Sequence, residues 1–295
     1  MLRVGKKPVG VEGDVGLARC REGASSRGAL SGGCVVEGAL SGGCVVEEWV
    51  VGGSCWSERV LTRGRVASRM SVREEFDAWA ADGRDKGMED RHWHTARHAL
   101  ARMPVEAGDV VLDLGCGSGY AGRALKDADD AGRVYGLDGS PEMTRNARAY
   151  TADADVGYVV GDFGALPFAD DSVDHVWSME AFYYASDPHE TLREVRRVLQ
   201  PGGTFYCAVN YYEENVHSHD WQDNIAVEMT RWGREEYREA FRDAGLIVAE
   251  QDSIPDEETE IPDESEFPTD SWETRDDMIE RYREYGTLLT VGVAP

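Results

Sequence analysis

The segment at residues 110–119, with the sequence VVLDLGCGSG, constrains the fold of this chain more than any other. Residues 110–114 form an apolar run of the length of a buried strand, and Gly115, Gly117 and Gly119 follow at once. Residues 120–128 have the pattern of a helix. Glycines reach positive φ and let a backbone approach a ligand closely, while the start of a helix presents free N–H groups. The segment therefore predicts a strand, a loop and a helix that together bind a nucleotide cofactor.

Two types of cofactor fit this loop. Gly117, Gly119 and Gly122 match the spacing of a dinucleotide fingerprint, and Asp138 lies where a ribose-binding acid is expected. Asp113 favours the other type, because a carboxylate at the mouth of the strand repels a pyrophosphate but attracts a cofactor with an ammonium group and a sulfonium centre. S-adenosylmethionine carries both, so we expect it as the cofactor.

Motifs within residues 110–203 resemble those of the class I S-adenosylmethionine-dependent methyltransferases, of the small-molecule type that includes the quinone-biosynthesis methyltransferases. Six motifs follow in the order of that family, at residues 113–119, 134–138, 161–163, 166–168, 174–178 and 197–203. The resemblance implies an α/β fold with a Rossmann-like seven-stranded sheet, mostly parallel with the last strand antiparallel. It also implies helices on both faces of the sheet and an N-terminal helical lid.

The resemblance further implies roles for individual residues. Asp113 would orient the ammonium end of the cofactor, and Asp138 would accept both ribose hydroxyls. Asp162 would receive the adenine amino group, with Phe163 beside the ring. The predicted cofactor-binding set is Asp113, Gly115, Cys116, Gly117, Gly119, Asp138, Gly139, Asp162, Phe163 and Met179. Two alternatives stay open: Asp138 can belong to a plain helix start before the N-cap Ser140, and Phe163 can be a core residue.

The catalytic residues are less clearly marked by the sequence. Glu180, Tyr183 and Tyr184 follow the predicted fourth strand, at the edge where open α/β sheets bind ligands. Glu180 could act as a base and the tyrosines could contact substrate, or the rings could pack under the lid while Glu180 bonds to backbone. His94, on a lid helix, is a further candidate. The loop after the fifth strand adds candidates for the pocket wall: Tyr211, Tyr212, His217 and Trp221.

Metal ligation is not indicated by the cysteines and histidines. His94 and His98 share a helical face, and His217 and His219 form a second pair, but neither comes with a matching carboxylate or cysteine pattern. Four of the six cysteines fall within positions 1–69, without a C-x-x-C pair. We therefore predict no metal site, and we expect Cys116 to be a small loop residue.

The N-terminal segment, residues 1–69, differs from the rest of the chain. The sequence of residues 28–37 recurs unchanged at 38–47, and two copies are too few for a stacked repeat architecture. Residues 1–69 carry a net charge of +3, whereas residues 70–295 carry −28. We expect residues 1–69 to be a disordered leader, with Met70 as the natural start of the protein.

Residues 70–295 are expected to form one methyltransferase domain. Its predicted parts are lid helices at 70–104, a cofactor-binding core at 105–252, an acidic insertion at 253–286 and the last strand at 287–295. Strands are predicted at 110–114, 133–138, 156–161, 173–179, 203–210, 246–252 and 287–293. Helices are predicted at 71–81, 89–103, 119–128, 141–151, 187–199 and 234–244.

The charge pattern bears on the environment and the substrate. Residues 70–295 contain 49 acidic side chains and only two lysines, Lys86 and Lys126, a composition like that of cytosolic proteins of salt-accumulating archaea. We therefore expect a halophilic, cytoplasmic protein. Membrane insertion is not expected, because no apolar run approaches the length of a membrane-spanning helix. A small-molecule substrate is favoured and nucleic acid is not, because no basic stripe is visible. The alternatives are a nucleic-acid or protein methyltransferase, a nicotinamide-dependent oxidoreductase and a noncatalytic cofactor-binding protein.

Overall fold

The structure is a computed structural model, and it describes residues 71–129, 131–152 and 155–295. The predicted leader at 1–69 and the proposed start at Met70 lie outside the described residues. The strands of the described part are β1 (Val110–Leu114), β2 (Arg133–Asp138), β3 (Val156–Val160), β4 (Val173–Met179), β5 (Leu199–Val209), β6 (Ile247–Ile254) and β7 (Thr287–Val293). The α-helices there are α1 (Val72–Ala81), α2 (Lys86–Leu100), α3 (Tyr120–Asp129), α4 (Pro141–Tyr150), α5 (Pro188–Val198), α6 (Arg234–Asp243) and α7 (Arg275–Ile279).

The seven described strands form one sheet in the order β3-β2-β1-β4-β5-β7-β6. Strands β1 to β5 pair in parallel, and β7 is antiparallel to both β5 and β6. This topology confirms the predicted methyltransferase sheet with its antiparallel last strand. The carboxyl ends of β1 to β5 consequently meet at one edge, and the strand order reverses between β1 and β4, where such sheets bind ligands.

Alternation of side chains along the strands builds a core on each face of the sheet. On β1, Leu112 belongs to the core that contains α5 and α6, whereas its neighbour Val111 belongs to the core that contains α2, α3 and α4. Val176 and Trp177 of β4 divide in the same way. Successive residues of a strand point to opposite faces, so the continuous apolar runs in the sequence become strands buried on both sides. The predicted helices on both faces are confirmed.

Helix α1 begins at a capping box, as the sequence pattern indicates. The Ser71 hydroxyl accepts the Glu74 N–H at 3.3 Å, and the Glu74 carboxylate accepts the Ser71 N–H at 2.9 Å. Farther along, Asp77 accepts the Ser140 hydroxyl at 2.6 Å and the Glu142 N–H at 3.1 Å. These bonds join α1 to the start of α4, which directly follows β2, so α1 lies over the carboxyl edge of the sheet.

The largest differences from the predicted boundaries are in β5 and α2. Strand β5 begins at Leu199, because Val173 pairs with Leu199 and the register then shifts so that His175 pairs with Thr204. Gly202, inside the shifted segment, has φ +86° and makes this irregularity possible. Helix α2 begins at Lys86 rather than at 89.

The two long connections carry short helical elements. A 3₁₀ helix, Val216–Asn224, lies between β5 and α6, and a π-helical turn, Glu280–Tyr285, continues α7 toward β7. Arg283 in that turn donates to the carbonyls of Asp256 and Thr259, which ties the acidic insertion to the domain. No helix in the described ranges is both long and apolar enough to cross a membrane.

Deletion of residues 1–69 tests the predicted domain division. A protein that begins at Met70 should melt within about 1 °C of the full chain, because the described domain has its own core and an N-terminal cap at Ser71. Differential scanning calorimetry measures this. The matched control is Ser71→Ala in the shortened protein, where loss of the cap should cost about 1 kcal/mol and lower the melting temperature by roughly 2–4 °C. A fall of several degrees on deletion alone would contradict the division.

Candidate active site

A cavity of about 1680 Å³ lies at the carboxyl edge of the sheet, beneath α1 and α2. The glycine loop after β1 and the ends of β2, β3 and β4 form one part of its wall. The other part comes from the chain after β5, the 3₁₀ helix Val216–Asn224, the acidic insertion and the π-helical turn. Ligand pockets usually measure about 300–1,000 Å³, so this cavity has room for a cofactor and a second small molecule together.

The glycine loop is held against the end of β2 by backbone hydrogen bonds. The N–H groups of Gly115 and Cys116 both donate to the Leu137 carbonyl, at 2.8 and 3.1 Å. Gly115 has φ +81°, and a Cβ there would lie 2.1 Å from the Cβ of Ala181. Only glycine allows this approach, which brings the loop backbone to the cavity wall. Gly117, with φ +49°, also lines the cavity.

Asp138 lies at the centre of this half of the cavity. Its carboxylate accepts the Gly117 N–H at 2.9 Å and the Ser140 N–H at 2.8 Å. Burial raises the pKa of Asp138 to about 6, against the effect of these two hydrogen bonds. Ser140 is also the N-cap of α4, accepting the Met143 N–H at 3.0 Å. Asp138 therefore anchors the loop, and each of its oxygens keeps a lone pair for a ligand hydroxyl.

Asp113 is buried behind the loop and does not line the cavity wall. Its side chain is 2% exposed, and its Oδ2 atom has no hydrogen-bond partner. Burial, and next the nearby charge of Asp138, raise the pKa of Asp113 to about 7. Gly119 is also behind the wall, where a Cβ would lie 2.3 Å from the Tyr158 hydroxyl. When it is ionised, Asp113 can thus attract a bound cation electrostatically across the glycine loop, without direct contact.

The remaining predicted cofactor residues line the cavity. Asp162 is at the exposed rim and accepts the Gly164 N–H at 2.8 Å. Phe163 is half-buried beside the glycine loop. The cavity wall includes Gly115, Cys116, Gly117, Asp138, Gly139, Asp162, Phe163 and Met179 from the predicted set.

Glu180 occupies a strained position at the end of β4. Its φ is +53°, a conformation that a residue with a side chain rarely adopts outside functional sites. The carboxylate accepts the Tyr183 hydroxyl at 3.1 Å and the Asn210 N–H. Burial raises the pKa of Glu180 to about 7, although the Asn210 hydrogen bond and the charge of Arg281 oppose the shift. The cavity wall thus holds a carboxyl group that changes charge near neutral pH.

The other catalytic candidates also line the cavity. Tyr183 and Tyr184 lie with ring centroids 4.6 Å apart, and Tyr184 meets Phe76 of α1 at 4.9 Å. His94 lies on the opposite wall, with Nδ1 3.3 Å from Asp256 Oδ1. Both rings line the cavity and Tyr184 also packs against α1, so substrate contact by the tyrosines stays a prediction.

The loop after β5 contributes less than the sequence pattern indicates. Trp221 lines the cavity, but Tyr211, Tyr212 and His217 do not. Tyr211 packs edge-to-face against Tyr183 and stacks on Trp221, with ring centroids 5.6 and 6.4 Å away. Tyr212 donates its hydroxyl to the Tyr285 carbonyl at 3.0 Å. These side chains support the wall from behind.

Asn210, Thr287 and Arg281 line the cavity but were missed by the sequence analysis. Asn210 directly follows β5 at the carboxyl edge, so its position carried a usable signal. Arg281 comes from an irregular turn far along the chain, and no sequence pattern distinguishes it from the many other arginines.

A group outside the cavity brings His217, Asp277 and Glu280 together, with potential ligand atoms within 4.8 Å of one another. His217 Nε2 is 2.8 Å from Glu280 Oε2, and the ring contacts Trp272 and Tyr285. Among the described residues, His217 thus lies beside two carboxylates, whereas Nε2 of its predicted pair partner His219 lies 2.8 Å from the Glu213 carbonyl oxygen.

The loop half of the cavity fits S-adenosylmethionine. The cofactor has a ribose for Asp138 and two cationic centres for a region that holds buried carboxyls, one with an unpartnered oxygen. A pyrophosphate would place negative charge next to Asp113 and Asp138, which disfavours a dinucleotide. The chemistry of the residues and the size of the cavity therefore agree with this cofactor.

Sequence comparison identifies relatives of the central part of the chain. Residues 112–207 match a family described as "Methyltransferase domain". The 27-O-demethylrifamycin SV methyltransferase of Amycolatopsis mediterranei is 38% identical over 105 residues, which cover 34% of this chain and 38% of that protein. The sterol 24-C-methyltransferase of Aspergillus fumigatus is 30% identical over 188 residues, which cover 58% and 48%. The chain thus spans less than half the length of these curated relatives.

Structural comparison gives a match over a longer stretch. A chain from the complex between the Haloferax volcanii Trm112 methyltransferase activator and the methyltransferase named with it is 75% identical, with a TM-score of 0.75. The match covers 76% of this chain and 100% of that chain. Together with the sheet topology and the glycine loop, these matches show that the chain belongs to the class I S-adenosylmethionine-dependent methyltransferases.

Proposed function

We propose that this protein transfers a methyl group from S-adenosylmethionine to a small-molecule acceptor. The observation that carries the proposal is a single cavity whose wall contains the glycine loop, Asp138 and Glu180. Transfer by in-line displacement requires the cofactor and the acceptor to share one enclosed space. The rifamycin and sterol methyltransferases among the relatives support a small-molecule acceptor.

The proposed cofactor roles follow from position. Asp138 accepts the ribose hydroxyls, and the backbone of Gly115, Cys116 and Gly117 borders the methionine portion. Asp113 stabilises the cationic end through its field, while Asp162 and Phe163 receive the adenine at the rim. Gly139 and Met179 complete the wall, and Gly119 acts indirectly by shaping the loop. When bound, the cofactor supplies a methyl group that its sulfonium has already activated.

The proposed catalytic residue is Glu180. In its ionised form it removes the proton of an acidic acceptor group as the acceptor attacks the methyl carbon, and Tyr183 and Asn210 fix the position of its carboxylate. The aromatic rings of Tyr183 and Tyr184, together with α1 and α2, limit the access of water. His94 borders the acceptor side without a proton-transfer role in this scheme.

Transfer of labelled methyl groups tests the function. The protein is incubated with methyl-labelled S-adenosylmethionine and an extract of its source organism, which is then separated into small molecules, protein and nucleic acid. Label should accumulate in the small-molecule fraction and depend on Asp138. Label in protein or nucleic acid would instead establish the competing methyltransferase classes. Binding of NAD(H) in preference to S-adenosylhomocysteine would establish an oxidoreductase. Binding of the cofactor without any methyl transfer would establish a noncatalytic cofactor-binding protein.

Replacement of Asp138 by alanine should weaken S-adenosylhomocysteine binding. Loss of charge-assisted bonds to two ribose hydroxyls should cost on the order of 2–4 kcal/mol, or roughly a 30- to 700-fold increase in Kd by calorimetry. The control is Asp243→Ala, at an exposed aspartate of α6 outside the cavity, which should leave Kd unchanged. Unchanged binding by Asp138→Ala, in a protein that still melts cooperatively, would remove Asp138 from the cofactor site.

Replacement of Glu180 by glutamine should lower kcat about 100- to 10,000-fold with little change in the KM for cofactor. In the native protein, kcat should rise with pH through about 7, because the carboxyl must lose its proton to act as a base. This pH dependence should vanish in the variant. Glu239→Gln, on the exposed surface of α6, is the matched control. A variant that keeps the native rate and pH profile would show that Glu180 is only structural.

We propose further that the chain binds a Trm112-type activator. The support is its 75% identity to a chain from the Haloferax volcanii Trm112 complex. Co-expression of the two proteins should yield a complex that elutes as one species in size-exclusion chromatography at molar KCl. Separate elution at micromolar concentrations would contradict this.

The same relative supports the halophilic interpretation of the charge of −28 over residues 70–295. Because salt screens this self-repulsion, the melting temperature should rise when the KCl concentration is raised from about 0.2 M to about 2 M. The Debye length is about 3 Å at 1 M, so repulsion between surface charges is largely screened at the higher concentration. A melting temperature that does not change would reject a halophilic protein.

A further inference from the structure

Arg281 is a buried cation on the part of the cavity wall formed by the chain after β5, the acidic insertion and the π-helical turn. We call this part the acceptor half, after the proposed methyl acceptor. The side chain of Arg281 belongs to the π-helical turn before β7, and the residue is only 6% exposed. A guanidinium has five N–H donors, and a buried one normally faces a carboxylate. Arg281 forms no ion pair with any carboxylate in the described residues, and its guanidinium donates a hydrogen bond to the Gly286 carbonyl at 3.4 Å.

The two nearby acids are occupied by other partners. Glu180 accepts the Tyr183 hydroxyl and the Asn210 N–H. Asp256 accepts the N–H groups of Glu258 and Thr259, both at 2.9 Å, and faces His94. Their charges act on Arg281 only from a distance.

Aromatic rings fix the guanidinium in place. Its Cζ atom lies 5.6 Å from the ring centroid of Trp221 and 5.3 Å from that of Tyr282. Such contacts stabilise the cation without neutralising its charge. Gly286, which ends the turn, has φ +58°, and a Cβ there would lie 2.3 Å from the Ile254 carbonyl oxygen. The turn that carries Arg281 is therefore held tightly against β6.

We infer that Arg281 forms a subsite for an anionic oxygen group, a carboxylate or a phosphate, of the methyl acceptor. The planar guanidinium can pair with either group through two parallel hydrogen bonds. A neutral acceptor would leave the buried cation unpaired, so the subsite selects for charge. The inference rests on the proposed methyl transfer for the role of the bound molecule, but the anion site itself can be tested without catalysis.

Binding of matched aromatic probes tests the subsite. The protein is saturated with S-adenosylhomocysteine, and benzoate, phenyl phosphate and the neutral benzamide are titrated with detection by saturation-transfer NMR. Benzoate or phenyl phosphate should bind at least about tenfold more tightly than benzamide, and the stronger of the two identifies the anion. Equal binding of all three probes would overturn the inference.

Two variants assign the effect to Arg281. Arg281→Gln should remove the preference for the anions, while Arg283→Gln should keep it, because Arg283 is in the same turn but does not itself line the cavity. If Arg281→Gln does not fold, Arg281→Lys provides the test. Because lysine cannot form two parallel hydrogen bonds with the anion, this variant should bind anions several-fold more weakly. Unchanged anion binding would overturn the inference.

The outcomes separate this inference from the proposed function. Anion binding that depends on Arg281 supports the subsite even if no methylated product is found. A labelled product without an anionic group, made at an unchanged rate by Arg281→Gln, overturns the subsite and leaves the methyl transfer intact.

Discussion

Burial of carboxyl groups at one edge of the sheet is the constraint on which the site depends. Asp113 is the penultimate residue of β1, Asp138 is the last residue of β2 and Glu180 follows β4. Burial raises the pKa of each to about 6 or 7. Keeping such groups charged away from water is costly unless a compensating cation is near. A cofactor with two cationic centres provides this compensation, so the loop half of the cavity is complementary to S-adenosylmethionine.

The fold tolerates these groups because backbone and core hold them rigidly. The Leu137 carbonyl fixes the glycine loop through two N–H groups, and Asp138 fixes it through a third. Glu180 keeps its positive φ next to Ala181, whose Cβ lies against Gly115. The cavity thus combines a rigid acidic part beside the glycine loop with a part in which the buried Arg281 carries the opposite charge.

The fold and the cofactor half could be predicted from sequence, because they depend on local patterns. Apolar runs that end in an acid or glycine gave the strands, and the carboxyl ends of parallel strands must meet at one edge, which placed Asp138 and Glu180 correctly. Two features of the site could not be predicted from the sequence. The depth of Asp113 behind the loop depends on how the glycines turn, and Arg281 reaches the cavity from an irregular turn in the acidic insertion.

The residues that line the cavity farther from the glycine loop were difficult to predict for a physical reason. This part of the wall is assembled from the chain after β5, the acidic insertion and helices α1 and α2, which meet only through tertiary packing. Aromatic side chains such as Tyr212 and Trp221 look alike in sequence, but one supports the wall from behind and the other faces the cavity. Periodicity does not distinguish these positions, since neither lies in a regular α-helix or strand.

The most direct test of electrostatic complementarity is the number of protons released when S-adenosylmethionine binds at pH 6. Isothermal titration calorimetry in two buffers with different ionisation enthalpies measures this number. Asp113 and Asp138 are largely or partly protonated at this pH in the free protein and should ionise beside the cationic cofactor, so release of about one proton is expected. Binding without proton release, or with proton uptake, would contradict the central claim that buried carboxyls select this cofactor by charge.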